Sequence, residues 1–394
     1  MILSAAKVVA LLWGSCLFAG TYSLHLNPPS SLSDGSISRR QALRDVSAAL
    51  LVGSQLIPSS AGAQSTSNSI AAQSSSSKIL LPRSNNVQLP RIGYSLYKTA
   101  AEQVSEGVGL ALQAGTRHFD CASQYGTNAQ VGSVIHKFLA TGQVETKNGV
   151  TQTPRSDRQV YVTHKVSNTE QSLSSRELKT NLLEQSKILG KKLDLVMIHS
   201  PLTDSNKRLS TYATLCELAE RKKIGAVGVC HFGVKPLQEL VNAGLPAPSV
   251  IQLELSPFHL HKDVDAWAKE HDSLLSCAAW SRLSSTSGPT QGWDTLSKEI
   301  AMPRGITKQQ VLIRWATQSN YLCVPRSNSQ YKADRQTISE NSWKSTKDIV
   351  LSAEEMAILN SLNEDFPAGQ LGVVDGWGAD DILDSKWDPT TAIV

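Results

Sequence analysis

Acidic, phenolic and basic side chains follow one another at the ends of successive apolar runs. Asp120 ends one run, and Tyr125 stands five residues after it; Lys165 and His199 end the next two runs. A free phenol has a pKa of about 10 and is a poor acid at neutral pH, but a neighbouring ammonium favours its ionised form. We therefore expect Tyr125 to donate a proton with the help of Lys165. Asp120 would hold Lys165 by ion pairing, and His199 would hydrogen-bond an oxygen on which negative charge develops.

The elements that must position these residues begin at Lys78, where short β-branched runs start to alternate with segments of helical period. This alternation is typical of a parallel α/β fold. Eight runs are predicted as strands, namely Ile92 to Tyr97, Arg117 to Ala122, Val160 to Lys165, Leu193 to His199, Gly225 to Val229, Val250 to Leu255, Leu274 to Trp280, and Leu322 to Pro325. Eight β/α units predict a (β/α)8 TIM barrel, whose reactive residues lie at the carboxyl ends of the strands. A doubly wound sheet is the main alternative, but no GxGxxG motif follows any strand.

Three segments that precede or join the predicted barrel elements give further predictions. Residues 79–82 and 87–89 flank a Ser84-Asn85-Asn86 turn, which predicts an N-terminal β-hairpin that plugs one end of the barrel. The long segment from Thr141 to Arg158 is an α-to-β connection, and such connections lie at the end away from the chemistry. The connection after His199 is short, because Cys216 to Lys223 is already predicted to be helical. We therefore expect an open pocket.

A single Asp or Lys at a strand end is more often solvated or salt-bridged than catalytic. The catalytic interpretation is favoured here because four such side chains would converge on one rim of the barrel.

Ordered motifs along the chain resemble the aldo-keto reductase family. Gly115-Thr116-Arg117-His118-Phe119-Asp120, Tyr125-Gly126 and Val131-Gly132 are similar to the family signature around its Asp and Tyr. Further similar motifs follow in the family's order, namely Thr163-His164-Lys165, Leu193-Asp194-Leu195, Ile198-His199-Ser200-Pro201, Gly225-Ala226-Val227-Gly228-Val229, Gln252-Leu253-Glu254, Trp280-Ser281-Arg282-Leu283, Val311-Leu312-Ile313-Arg314-Trp315, and Val324-Pro325-Arg326-Ser327. The resemblance covers about Lys78 to Asn363. It implies a barrel domain over 78–394 with a variable C-terminal loop.

The same resemblance implies a function and a cofactor. Asp120, Tyr125, Lys165 and His199 match the family's catalytic tetrad, so the chain is expected to be an enzyme that transfers hydride from NADP(H) to the carbonyl of a small aldehyde or ketone. The residues expected to bind the cofactor are Cys230, His231, Gln252, Trp280, Ser281, Leu283, Ser285, Arg326, Ser327, Lys332 and Gln336.

Several of these positions depart from the family pattern. Cys230-His231 replaces its usual Ser-Asn pair, so anchoring of the nicotinamide carboxamide is expected to fall more heavily on Gln252. Trp280 replaces the usual stacking Tyr. Arg326, Ser327 and Lys332 fall where the family binds the adenosine 2′-phosphate, which predicts a preference for NADPH. The alternative is a nicotinamide-binding barrel that acts as a redox sensor or regulatory subunit without significant turnover.

Residues 1–63 are predicted to be a targeting presequence, and residues 64–77 a Ser-rich linker. Lys7 precedes an apolar run with small residues after it, as in a secretory signal, and Arg39-Arg40 precedes a second apolar run, as in a twin-arginine signal. This order resembles the layered presequence of a plastid protein bound for the thylakoid lumen. The alternative is an ordinary secretory signal, with the arginine pair arising by chance and the protein in the secretory route or outside the cell. Neither interpretation leaves a stable membrane anchor after processing.

Composition narrows the remaining classes of partner. The formal net charge is only +4, with 38 basic and 34 acidic side chains spread along the chain, so nucleic acid is not expected to bind. The six cysteines form no CxxC pair and show no metal-ligand spacing, so we expect buried reduced thiols and no metal site. No oligomeric state is predicted.

Overall fold

The computed structural model describes residues 76–201, 204–278, 294–326 and 334–365. The predicted presequence, nearly all of the linker and the C-terminal loop lie outside these residues. Within them, no helix is both long enough and apolar enough to cross a membrane, and no group of three or more potential metal ligands is found.

The described chain opens with the predicted hairpin. Strands β1 (Lys78–Leu80) and β2 (Gln88–Pro90) pair antiparallel, with Ile79 opposite Leu89. The apolar side chains of this hairpin share a small core cluster with residues at the amino ends of the barrel strands, namely Tyr161, Leu195, Val250 and Leu322. The hairpin therefore covers the amino-terminal end of the barrel, as predicted.

Eight strands of the described chain form one parallel sheet. They are β3 (Tyr94–Ser95), β4 (His118–Ala122), β7 (Tyr161–Val166), β8 (Leu195–Ile198), β9 (Val227–Cys230), β10 (Val250–Leu253), β11 (Leu274–Cys277) and β12 (Leu322–Cys323). Each strand pairs with the next along the chain. The sheet closes where Ile92 bridges Cys323, with the Gly93 amide donating to the Cys323 carbonyl at 2.8 Å. The predicted (β/α)8 barrel is confirmed.

A helix follows each barrel strand. These helices are α1 (Ala101–Gln113), α2 (Asn128–Thr141), α3 (Ser175–Ile188), α4 (Ser205–Glu220), α5 (Val234–Asn242), α6 (Lys262–Glu270), α7 (Lys308–Gln318) and α8 (Arg335–Glu340). The shorter α9 (Trp343–Thr346) and the longer α10 (Ala353–Asp365) come after them. Helices α3 and α7 start with capping boxes, in which Ser174 and Thr307 each accept a hydrogen bond from the third helical amide. The apolar faces of the helices pack on the strands in one large core cluster.

Several observed strands and helices begin or end at residues other than those predicted. The first strand is predicted to run from Ile92 to Tyr97 but spans Tyr94–Ser95, since residues 96–99 form a turn in which the Thr99 amide donates to the Leu96 carbonyl at 3.2 Å and Lys98 is left-handed with φ of 53°. The seventh ends at Cys277 rather than Trp280, which lies outside the described residues. Helix α4 starts before the predicted Cys216 and stops at Glu220, two residues before the left-handed Lys222.

The long α-to-β connection forms a second hairpin. Strands β5 (Gln143–Thr146) and β6 (Gly149–Gln152) pair antiparallel, and Val144 is buried. A β-carbon at Gly109 of α1 would lie 2.9 Å from the Thr146 methyl group, so this hairpin rests closely on α1. The hairpin lies between α2 and β7 along the chain, so it is an α-to-β connection leading to the amino end of a strand, as expected.

Helices α2 and α3 meet at a glycine, and this contact gives a prediction about stability. A β-carbon at Gly132 would overlap the carbonyl group of Ile188. Because that neighbour is backbone, Gly132→Ala must push the helices apart, and we expect it to lower the free energy of unfolding by about 3 kcal/mol in a urea titration. The control is Ser133→Ala, an exposed change on the same helix that should stay within about 0.5 kcal/mol of wild type. Equal stability of the two variants would contradict the close packing.

Candidate active site

The carboxyl ends of β4 and β7 bring three ionisable side chains together. In the register of these strands Ala122 lies opposite Lys165. Asp120 is two residues before Ala122 and therefore points to the same face, so Asp120 and Lys165 point into the barrel from neighbouring strands. The Lys165 ammonium donates to Asp120 Oδ2 at 2.5 Å and to the Tyr125 hydroxyl at 3.2 Å. Asp120 and Lys165 are each only 1% exposed. The ammonium therefore joins a buried carboxylate to a phenol that is only partly buried.

Tyr125 reaches this position through a tight turn. A 3-10 helix of Ser123–Tyr125 continues directly from β4, and Gly126, at φ of 64°, ends it in the left-handed region that favours glycine. The phenol ring packs beside the Tyr97 ring, with centroids 5.7 Å apart. Tyr97 was not among the predicted site residues, although its place after the first barrel strand put an aromatic side chain on the same rim.

His199 follows β8 and lies beside Tyr125. The ring centroids of the two residues are 5.9 Å apart in an edge-on arrangement, and the centroid of the nearly parallel His231 ring lies 6.4 Å from that of His199. The His199 Nδ1 atom has no hydrogen-bond partner among the described residues. Burial, reinforced by the Lys165 charge, lowers the pKa of His199 well below its ordinary value. The imidazole is therefore neutral at physiological pH and can hydrogen-bond an oxygen without carrying charge.

For both Lys165 and Tyr125, burial shifts the pKa in one direction and the neighbouring charge shifts it in the other. Burial alone would lower the pKa of Lys165, but the Asp120 carboxylate, together with Tyr125 and Cys230, outweighs this effect and raises the pKa, so the side chain stays an ammonium. Burial raises the pKa of Tyr125, and the Lys165 charge only partly opposes that rise. Contrary to the simple expectation that Lys165 favours the phenolate, the phenol keeps its proton. A protonated phenol against an ammonium is the arrangement that a proton donor requires.

The predicted nicotinamide contacts lie on the next two strands. Cys230 ends β9, and its thiol lies 3.9 Å from Met197 Sδ and 3.8 Å from Gln252 Oε1. The Gln252 amide, which is buried, has its nearest donor contact with Ser276 Oγ at 3.5 Å. These long contacts leave the polar atoms of Gln252 weakly engaged, so its amide can bond an incoming carboxamide. The shift of carboxamide anchoring from Cys230 to Gln252 stays a prediction.

Of the other eight predicted cofactor residues, two lie within the described part of the chain and six lie outside it. Arg326 follows β12, and its Nη1 donates to the Tyr97 carbonyl at 3.3 Å, so it lies on the same rim as the tetrad. Gln336 is exposed on α8 and donates to Glu340 within that helix, so no described contact joins it to the site. The remaining six lie outside the described residues, namely Trp280, Ser281, Leu283, Ser285, Ser327 and Lys332.

Comparisons with known proteins agree with this geometry. A model described as the Aldo/keto reductase family matches residues 92–364. The 9,11-endoperoxide prostaglandin H2 reductase of Trypanosoma cruzi is 30% identical over 288 residues, which cover 72% of this chain and 92% of that relative. Methylglyoxal reductase DkgA of Yersinia pestis is 26% identical over 239 residues, or 61% of this chain and 79% of that relative. The crystal structure of an aldo/keto reductase from Brucella melitensis superposes with a TM-score of 0.59 at 22% identity, covering 72% of this chain and 98% of that one, which shows the common fold.

The buried ion pair predicts an unusual pattern of stability. Asp120→Asn leaves the Lys165 ammonium buried without a counter-charge, so we expect the free energy of unfolding at pH 7 to fall by about 3 kcal/mol. Adding Lys165→Met removes the stranded charge and should recover part of that loss. The control is Lys269→Met, which breaks the exposed pair with Asp265 and should cost less than about 1 kcal/mol. A double variant no more stable than Asp120→Asn would show that the ammonium does not depend on its carboxylate.

Proposed function

Because the chain belongs to the aldo/keto reductase family, we propose that this carbonyl-reducing oxidoreductase uses NADP(H) and that Tyr125 donates the proton. The observation that carries the proposal is the position of the Lys165 ammonium, 2.5 Å from Asp120 Oδ2 and 3.2 Å from the Tyr125 hydroxyl. If the Lys165–Asp120 ion pair served stability alone, the ammonium would not have to contact the Tyr125 hydroxyl as well. The edge-on His199 ring adds a second group that can hydrogen-bond beside Tyr125.

The residues of the barrel rim fit a nicotinamide cofactor. The weakly engaged Gln252 amide would bind the carboxamide, with His231 beside it, and Arg326 would lie at the phosphate end. When bound, the cofactor supplies the hydride. The end of the barrel after its last strand is where this fold commonly builds phosphate sites.

The side chains of the tetrad divide the remaining work. The Tyr125 hydroxyl and the neutral His199 ring would both hydrogen-bond the substrate oxygen, orienting it and stabilising its developing charge. Tyr125 would then pass its proton to that oxygen, while the adjacent Lys165 ammonium stabilises the phenolate left behind. Asp120 holds the ammonium in place throughout. The burial of Asp120, Lys165 and His199 strengthens the interactions that these three side chains make.

Small carbonyl compounds are the proposed substrates. The similarity to a methylglyoxal reductase of Yersinia pestis supports this class. Only residues 199–204 separate β8 from the start of α4, so little chain is available there to roof the pocket. A regulatory barrel without turnover is not favoured, because the hydrogen bonds that link Lys165 to Asp120 and Tyr125 are formed.

Replacing the proton donor tests the catalytic assignment. Tyr125→Phe keeps the ring but loses the hydroxyl, so we expect NADPH-dependent reduction of an activated aromatic aldehyde, followed by NADPH absorbance, to fall by at least about a thousandfold. NADPH binding should stay near wild type. The matched control is Tyr161→Phe, which removes a hydroxyl from the opposite end of the barrel and should leave turnover unchanged. Wild-type turnover by Tyr125→Phe would refute the assignment, and a wild type inactive towards every carbonyl tried would favour the regulatory alternative.

Cofactor preference depends on Arg326. A guanidinium can bind a phosphate with two parallel hydrogen bonds, so Arg326→Met should weaken NADPH binding by about tenfold, or about 1.4 kcal/mol, and NADH binding much less. Tryptophan fluorescence can follow both titrations, and the effect should shrink at higher salt. Arg221→Met removes an exposed arginine just after α4 and serves as the control. Equal affinity of wild type for the two cofactors, or equal weakening of both in Arg326→Met, would contradict recognition of the 2′-phosphate.

A further inference from the structure

The carboxylate of Glu170 collects four hydrogen bonds behind the active site. Its Oε1 atom accepts from Ser123 Oγ at 2.8 Å and from Asn181 Nδ2 at 3.0 Å. Its Oε2 atom accepts from the backbone amide and the hydroxyl of Ser167, at 2.6 and 2.7 Å. These donors come from three segments, which follow β4, follow β7 and lie within α3. The carboxylate therefore ties the loops of two neighbouring barrel units to one helix.

His164 completes this network in a defined tautomer. The single Ser123 hydroxyl proton goes to Glu170, which leaves the hydroxyl oxygen to accept from His164 Nε2 at 3.0 Å. The other ring nitrogen, Nδ1, then accepts from Asn128 Nδ2 at 3.5 Å. The ring is fully buried, and burial lowers the pKa of His164 to about 3. His164 is thus a neutral, fixed donor to Ser123.

The network lies directly behind the proton donor. Ser123 starts the 3-10 turn that ends with Tyr125, and His164 immediately precedes Lys165 on β7. Successive side chains of a strand point to opposite faces, so His164 holds Ser123 on the outer face while Lys165 meets Tyr125 on the inner face. One strand therefore fixes both ends of the turn relative to the ammonium. The 3.2 Å separation of Lys165 Nζ and the Tyr125 hydroxyl is measured across this same junction.

We propose that Ser123 is a positioning residue for the reaction, held by His164 and Glu170 so that the Tyr125 hydroxyl stays within reach of Lys165. This inference rests on the proposed function of Tyr125 as proton donor. Ser123 contacts none of the reacting groups itself. Its contribution is to hold the turn, and misplacement of a reacting group by about 1 Å can cost about a hundredfold in rate.

The test compares two variants that each remove one donor to the same carboxylate oxygen. Ser123→Ala releases the turn of Tyr125, whereas Asn181→Ala releases only α3. We expect Ser123→Ala to lower kcat for aldehyde reduction by about tenfold to a hundredfold, with KM and the NADPH dissociation constant within about twofold of wild type. Asn181→Ala should show a lower melting temperature but keep kcat within about twofold of wild type. Ser123→Thr retains the hydroxyl and should keep kcat near wild type.

The outcomes separate this inference from the proposed function. Absence of turnover by the wild-type protein would refute the proposed function and, with it, the positioning role. If wild type turns over, a kcat for Ser123→Ala equal to that of Asn181→Ala would overturn the positioning role alone. The positioning role would also be overturned if Ser123→Ala lost kcat/KM only through a rise in KM. The same would follow if Ser123→Thr had a kcat as low as that of Ser123→Ala.

Discussion

The buried ion pair between Lys165 and Asp120 is the interaction on which the site depends. An ammonium that is 1% exposed is tolerated only beside an opposite charge, and the carboxylate on the neighbouring strand provides it. Because both residues lie in the sheet, their geometry is set by the register of β4 and β7 rather than by a loop. The phenol then meets an ammonium whose place and charge are already fixed. The sheet, the most constrained part of the barrel, thus fixes the position of the Lys165 ammonium.

Tyr125, the proposed proton donor, follows its strand instead of belonging to it. Tyr125 is held on one side by the aromatic rings of Tyr97 and His199. On the other side, the turn that carries it is bonded through Ser123 to the outer face of β7. Rigid strands and a braced turn together give the pre-organised geometry that a site for stabilising charge requires.

Much of this arrangement could be predicted from the sequence. The eight strands were found because β-branched runs alternate with helical segments, and Asp120, Lys165 and His199 were found because they lie at or near the ends of three of those runs. The ends of the strands were not, since they depend on single left-handed residues such as Lys98. The Ser123 network was missed for a different reason. Its bonds to His164 and Glu170 join residues 41 and 47 positions apart, and such contacts leave no local pattern.

The most direct test of this account is a double-mutant cycle on kcat/KM with Tyr125→Phe and Lys165→Met. If the ammonium acts through the phenol, removing it from a protein that already lacks the hydroxyl should cost little, so the double variant should be about as slow as the slower single variant. If instead the two losses multiply, Lys165 and Tyr125 act independently, and the shared proton site described here is wrong.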